Sequence, residues 1–348
     1  MKRIACILLA LISILVICSC KKEKEKVDIY VPTAADAAWL SHIEQEDMDG
    51  YEFRILSRSG MRTDQYVEEQ TGDIIQDAVY KRNETVKSFF NIDIVSIESS
   101  TSDADEAMNS ILAGDDQYDI IFPHSRVAFQ YAIQDAVVNF NEITTIDKSK
   151  EWWSQDIIDS CNVNGHLYVL DGDISTHRLE YGFAMYFNKR IFDELGLEYP
   201  YQLALDGKWT FDEFSKLVKK GSKDLNGDGI LKPDDDQFGY YSWHAYGPIE
   251  VLYSGGQRIY NKNAQGIPTL TLNSPKTVDV FSKFFKLCNS DDVLLCAAQN
   301  APSQDLFTVG RAMFADRGLG SAKTMRNMSD EFGILPWPKF TAEDEYKV

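Results

Sequence analysis

Between Tyr51 and Phe122 the apolar residues change period from one segment to the next. Tyr51 to Leu56 reads as a strand. Ile74, Ile75, Ala78, Val79, Val86, Phe89 and Phe90 then recur at helical spacing and run into Ile92-Asp93-Ile94-Val95-Ser96-Ile97, a second strand. Ala104, Ala107, Met108, Ile111 and Leu112 mark another helix, Gly114 its stop, and Tyr118-Asp119-Ile120-Ile121-Phe122 a short buried strand. Strands separated by helices of this length predict a largely parallel sheet covered on both faces, an α/β protein. Ligands of such sheets bind beyond the carboxyl ends of the strands, so Ser125 and Arg126, in the loop after the third strand, are candidate contacts.

A second block begins at Tyr186-Phe187-Asn188-Lys189, an apolar strand running into a short helix that ends at Leu195-Gly196. Thr210 caps the next helix. Glu213 completes a capping box, and Trp209 with Phe214 forms a hydrophobic staple. Ser274-Pro275 starts a further helix with Val278, Phe281 and Phe285 on one face. At more than 300 residues the chain is long enough for two lobes.

The N-terminus has the order of a signal peptide: Met1-Lys2-Arg3, an apolar run from Ile4 to Cys18, then Ser19-Cys20. The run is shorter than a membrane span requires. Ile17-Cys18-Ser19-Cys20 resembles a lipobox, which makes Cys20 the acylated residue and the chain a lipoprotein on the outer face of the cytoplasmic membrane. Lysine and glutamate alone fill 21–26, the start of a tether. With 54 acidic against 35 basic residues and a formal charge of −19, nucleic acid is excluded as a partner. Three cysteines lie beyond the export segment, Cys161, Cys288 and Cys296; a Cys288 to Cys296 disulfide and three buried thiols both fit.

The sharpest local motif is the stretch from Asp224 to Asp235. Asp224, Asn226, Asp228 and Asp235 stand at positions 1, 3, 5 and 12 of a calcium loop, Gly229 at the turn, and Ile230 offers its carbonyl. Lys232 replaces the position-9 ligand, and a plain acidic turn is the alternative. Either way its role is structural. Trp243, His244 and Tyr246, with Gly247-Pro248, form an aromatic cluster suited to the apolar faces of sugar rings, as Trp152-Trp153 also does, although such rings fill cores as well. Arg317 closes a buried-strand pattern, so its guanidinium would project from a strand end unless an acid pairs with it. No nucleophile elbow, zinc motif or phosphate-binding loop is present in the sequence, and catalysis is not expected.

In this order these segments resemble extracellular solute-binding protein family 1, the carbohydrate receptors of ABC importers. The resemblance rests on the lipobox, Tyr118 to Ile121, Tyr186 to Lys189 with Leu195-Gly196-Leu197, Gly207 to Phe214, Asp224 to Gly239, Phe307 to Phe314, and Phe332 to Pro338. It implies a periplasmic-binding-protein type II fold, two α/β lobes joined by a hinge that closes on ligand. The divisions it implies are a signal peptide at 1–20, a tether at 21–48, lobe 1 at 49–185, lobe 2 at 186–306, and a return to lobe 1 at 307–348. The family continues past Pro338 with further helices, so the rest of the fold is expected beyond Val348. By position, ligand contacts fall on Ser125, Arg126, the Trp243 to Tyr246 cluster and Arg317. Arg317-Gly318 stands where maltose-binding members carry a tryptophan, which suits an acidic or heavily hydroxylated ligand. The expected partners are a sugar or oligosaccharide, ABC permease subunits and the membrane through Cys20, with the chain acting as a monomer. An exported glycan-active enzyme and a surface glycan-binding adhesin remain the alternatives.

Overall fold

A computed structural model describes residues 43–101, 104–243, 245–297 and 300–347. The expected signal peptide, Cys20, most of the tether and His244 lie outside the described residues. The described residues separate into two compact units, divided between Val127 and Ala128. Among the described residues no helix is long and apolar enough to cross a membrane.

The first unit is the predicted strand and helix alternation: β1 (Tyr51–Ser57), α1 (Ile74–Phe90), β2 (Ile92–Glu98), α2 (Ala107–Ala113) and β3 (Ile120–Phe122), followed by α3 (Ser125–Ile133), within which the division falls. The strands form a parallel sheet in the order β2-β1-β3. Local chemistry sets the helix ends. Asp73 caps α1 by accepting from the N–H groups of Ile75 and Gln76 at 3.0 and 3.1 Å. Gly114, at φ +73°, ends α2 in the left-handed region where a side chain is strained.

β3 is shorter than its apolar run, and Asp119 just before it is held by its side chain. Its Oδ2 accepts from the Arg54 backbone N–H at 2.7 Å and from Arg54 Nε at 3.1 Å, and Tyr51 donates to Oδ1 at 2.6 Å. The Arg54 guanidinium, helped by Tyr51, holds the Asp119 carboxyl down at about 2. A depressed carboxyl stabilises the fold above its unfolded value near 4, and that contribution is lost as pH falls toward 2. After discounting for solvent screening, Asp119→Asn is expected to lower stability by about 1 kcal/mol at pH 7 and by much less at pH 2. Urea unfolding at the two pH values checks this; an equal loss at both would refute it.

The second unit opens with α4 (Gln155–Cys161) and α5 (His177–Glu180) and continues through β4 (Phe183–Asn188), α6 (Lys189–Glu194), α7 (Tyr201–Leu205) and α8 (Phe211–Gly221). Next come β5 (Phe238–Trp243), α9 (Gly247–Ser254), the hairpin β6 (Tyr260–Lys262) and β7 (Pro268–Leu270), α10 (Pro275–Cys288), β8 (Val293–Cys296), β9 (Ala312–Gly318), α11 (Ser321–Thr324) and β10 (Phe332–Leu335). Five strands make one sheet in the order β10-β4-β9-β5-β8. β9 runs parallel to β5 and antiparallel to β4, which in turn pairs antiparallel with β10.

Residues 307–348 are expected with lobe 1, but their two strands complete this sheet beside β4 and β5. The reason lies in β9. Ala312, Met313, Phe314 and Ala315 are all fully buried, so the strand needs cover on both faces and takes the centre. One core packs Met313 and Phe314 with Phe192, Trp209, Phe214, Tyr240 and Phe284; the other packs Ala312 and Ala315 with Tyr186, Tyr241, Leu306 and Phe307.

Thr210 caps α8 as expected, accepting from Glu213 N–H at 3.4 Å, and the Trp209 and Phe214 rings meet at 5.9 Å. Only half of the capping box forms, because the Glu213 carboxylate pairs with Lys216. α8 lies close on β5. A Cβ on Gly239 would stand 1.9 Å from the Val218 carbonyl oxygen, and one on Gly221 would stand 3.0 Å from Gly239 Cα. Ser274 caps α10, but its core face is Val280, Phe284 and Leu287, while Val278 and Phe285 are exposed. Both stripes are apolar, so spacing alone does not choose between them. Among the described residues no disulfide joins Cys161, Cys288 and Cys296.

Candidate functional site

β5 ends at Trp243, a residue 36% exposed, and the turn after it closes with Tyr246 N–H donating to the Trp243 carbonyl at 3.1 Å. Tyr246 then caps α9, its carbonyl accepting from Ile249 and Glu250 N–H at 2.9 and 3.0 Å. Tyr246 as a residue is 48% exposed, and its ring packs on Phe183 with centroids 4.9 Å apart. Phe183 opens β4 and pairs in register with Gly318 at the end of β9. The result is a partly exposed aromatic edge where β5 and β9 end and β4 begins. Pro248 and the tight packing of Gly247 fix where α9 starts: a Cβ on Gly247 would stand 2.8 Å from Ser242 Oγ and 2.9 Å from Phe284.

Arg317 reaches the end of β9 as the sequence implies, but its guanidinium is engaged. It pairs with Asp305 and lies 5.0 Å from the centroid of the Tyr241 ring, leaving the side chain 12% exposed. Its geometry is that of a brace between β9 and the segment before it. Ser125 and Arg126 stand in the first unit as the first two residues of α3, both exposed, with Arg126 N–H donating to His124 Nδ1 at 3.1 Å. Trp152 is 37% exposed, and the Trp152 carbonyl accepts from Asp173 N–H at 2.9 Å. Gly172 forms an isolated antiparallel bridge with Trp153, and a turn begins at Asp173.

In the Asp224 to Asp235 segment the acidic side chains are turned onto the loop's own backbone. Asp224 accepts from Gly227 and Gly229 N–H at 2.6 and 2.8 Å, Asn226 from Asp228 N–H at 2.8 Å, and Asp228 from Ile230 N–H at 2.9 Å. Lys232 pairs with Asp228. Asp236, outside the expected ligand set, clasps both ends of the loop through Leu225 and Lys232 N–H, each at 2.8 Å. Among the described residues no three histidine, cysteine, aspartate or glutamate side chains gather as a metal would require.

Two features were not marked by the sequence. A cavity of about 240 Å³ is lined by Asp159, Ser160, Tyr253, Arg258, Tyr260 and Lys262, among others. Asp316 is buried on the helix-covered face of β9, where the alternation of the strand puts it beside Tyr240 rather than in solvent. A charged residue near a strand end gave no signal of this, since the same pattern marks an exposed terminus.

No protein-family model and no curated protein matches the chain. Solved structures do match in fold. An ABC substrate-binding protein from Listeria monocytogenes, in complex with cycloalternan, superposes with a TM-score of 0.56 at 17% identity, covering 84% of this chain and 68% of that one. The maltose/maltodextrin-binding domain from Bdellovibrio bacteriovorus, bound to maltotriose, gives 0.51 at 16%, covering 85% and 68%. UgpB from Mycobacterium tuberculosis, in complex with glycerophosphocholine, gives 0.51 at 15%, covering 83% and 65%. The chain has the α/β fold of these binding proteins, with a sheet in each of its two units.

Proposed function

We propose that this chain is the solute-capturing component of an ABC importer, binding a sugar or oligosaccharide and passing it to membrane permease subunits. The observation that carries the reading is the aromatic edge of Trp243, Tyr246 and Phe183 at the ends of β5 and β9, in a fold whose solved relatives include complexes with cycloalternan and maltotriose. Half-exposed rings offer flat apolar faces to the C–H faces of a sugar. Arg317 holds the adjoining segment through Asp305 and so supports the edge rather than touching the ligand. Ser125 and Arg126 are proposed as polar ligand contacts. The reading is binding rather than catalysis, because the strongly perturbed Asp316 carboxyl is enclosed among helices and not presented to a substrate.

Acylation of Cys20 and placement on the outer face of the cytoplasmic membrane complete the proposal, on the strength of the lipobox. A structural calcium ion at Asp224, Asn226, Asp228, the Ile230 carbonyl and Asp235 is also proposed. It requires Lys232 to leave Asp228, so a melting midpoint that millimolar calcium and chelator leave equal would sink it.

The direct test is a melting screen against mono- and oligosaccharides. Native-state binding raises stability by about 2.7 kcal/mol at a hundredfold excess over Kd. Trp243→Ala is expected to weaken the responding sugar at least tenfold, about 1.4 kcal/mol, with the unliganded melt little changed. Recovery of the sugar intact excludes the glycan-active enzyme. A panel of sugars that moves no midpoint refutes the reading.

A further inference from the structure

Beneath the start of α9 is a closed polar nest. Asp316 is 3% exposed; its Oδ1 accepts from the Tyr240 hydroxyl at 3.1 Å, and its Oδ2 has no hydrogen-bond partner. Ser242 lies two residues beyond Tyr240 on β5, and Gly247 packs directly over both, a Cβ there falling 2.8 Å from Ser242 Oγ and 3.5 Å from the Tyr240 hydroxyl. Glu250, half-buried in the first turn of α9, and the Cys288 thiol at the end of α10 both feel the Asp316 charge. The nearest cation, Arg317, is held by Asp305 and Tyr241. An ionised carboxylate with an open lone pair is strongly disfavoured in such a place, and a second carboxylate nearby makes it worse.

We propose that Asp316 and Glu250 are a proton-binding pair that sets how α9, and with it Tyr246, sits on the sheet. Burial pushes the Asp316 carboxyl up to about 6, with Ser242 and Arg317 pulling it back only in part, and burial with the Asp316 charge pushes Glu250 up to about 7. Burial and the same charge push the Cys288 thiol to about 12, and Tyr240 is also raised, so neither supplies a competing proton near neutrality. The folded chain therefore holds protons that the unfolded chain has released, and stability falls as pH rises from about 4 through 7. Asp316 is fixed by its ladder position opposite Met185, whereas α9 rests on the nest through Gly247. Ionisation of the pair is relieved by lifting the start of α9, which carries the Tyr246 carbonyl and ring with it.

The pair stands on the nest; only its link to a ligand rests on the sugar reading. The test compares the chain with its D316N and E250Q variants and with E52Q as a control at an exposed position of β1. Wild type and E52Q are expected to show the infrared carbonyl band of a protonated carboxylic acid at pH 6 and a midpoint that falls from pH 5 to 8. E250Q and D316N are expected to weaken the band and flatten the slope; if D316N does not fold, E250Q carries the comparison. No band in wild type, or a slope unchanged by E250Q, overturns the pair. Maltotriose should bind roughly threefold more tightly at pH 5.5 than at pH 8 in wild type, the change that half a unit of proton linkage gives, and equally at both in E250Q. The same pH dependence in E250Q overturns the link to Tyr246. Maltotriose that binds at no pH counts against the sugar reading and the ligand link, while the band and slope still decide the pair.

Discussion

Phe314→Ala is expected to lower the unfolding free energy of the second unit by about 3 to 5 kcal/mol, the range for deleting a fully buried aromatic ring. Phe314 has no exposed surface and stands on the central strand β9, its ring 5.2 Å from Phe214, 5.6 Å from Phe192 and 5.9 Å from Trp209. Those three rings come from α6, α8 and the residue before its cap, elements anchored by their own ladders and hydrogen bonds, so the cavity cannot close by local collapse. Urea unfolding followed by tryptophan fluorescence reads the effect as a lower midpoint with the slope unchanged. A loss below about 1 kcal/mol would show that these helices are free to settle, and would count against the packing described.

Gly239→Ala should be nearly as damaging, although it adds a single methyl group. The new Cβ would lie 1.9 Å from the Val218 carbonyl oxygen and 2.7 Å from its carbon, both backbone atoms of α8. No rotamer change relieves a clash with backbone, so α8 must lift off β5 and loosen Phe214 and Val218. Overpacking of this kind costs about 3 kcal/mol, which for a unit of this size lowers the melting midpoint by roughly 6 to 12 °C. The same substitution at Gly256, whose Cβ would meet only the far end of Lys276 at 3.9 Å but whose φ is +66°, should act through backbone strain alone and lower the midpoint less. Equal effects at the two positions would argue against close approach as the cause.

Local signals are legible in the sequence, and pairing across long separations is not. Ser274 and Thr210 cap their helices because a cap is decided within four residues of sequence. The same locality explains the success at β1, α1 and β2. The Glu213 half of the capping box was lost to Lys216, one turn further on, because two acceptable partners lay within reach of one carboxylate. On α10 Val278 and Phe285 are as apolar as Val280, Phe284 and Leu287, and only the sheet beneath decides which are covered. At the candidate site, Trp243 and Tyr246 were legible from the polar turn and the Gly247-Pro248 that follow them. Phe183 was hidden in an apolar run, and the acid that claims Arg317, Asp305, lies in a segment whose position depends on the whole sheet.

The order of strands in the second sheet also sets when it can exist. β4 has β9 on one side and β10 on the other, and Asn188 and Asp330, joined at 2.8 Å, are 142 residues apart along the chain. On a ribosome adding about 5 to 20 residues each second, β4 waits roughly 7 to 30 seconds for its neighbours. Until then its Met185 to Phe187 run has no strand on either side, while β5 and β8 lack the strand that joins them to it. Contacts so distant in sequence also close slowly once both partners are present. The sheet of the nascent second unit thus stays incomplete for most of its synthesis, a state in which a chaperone finds exposed apolar segments to hold.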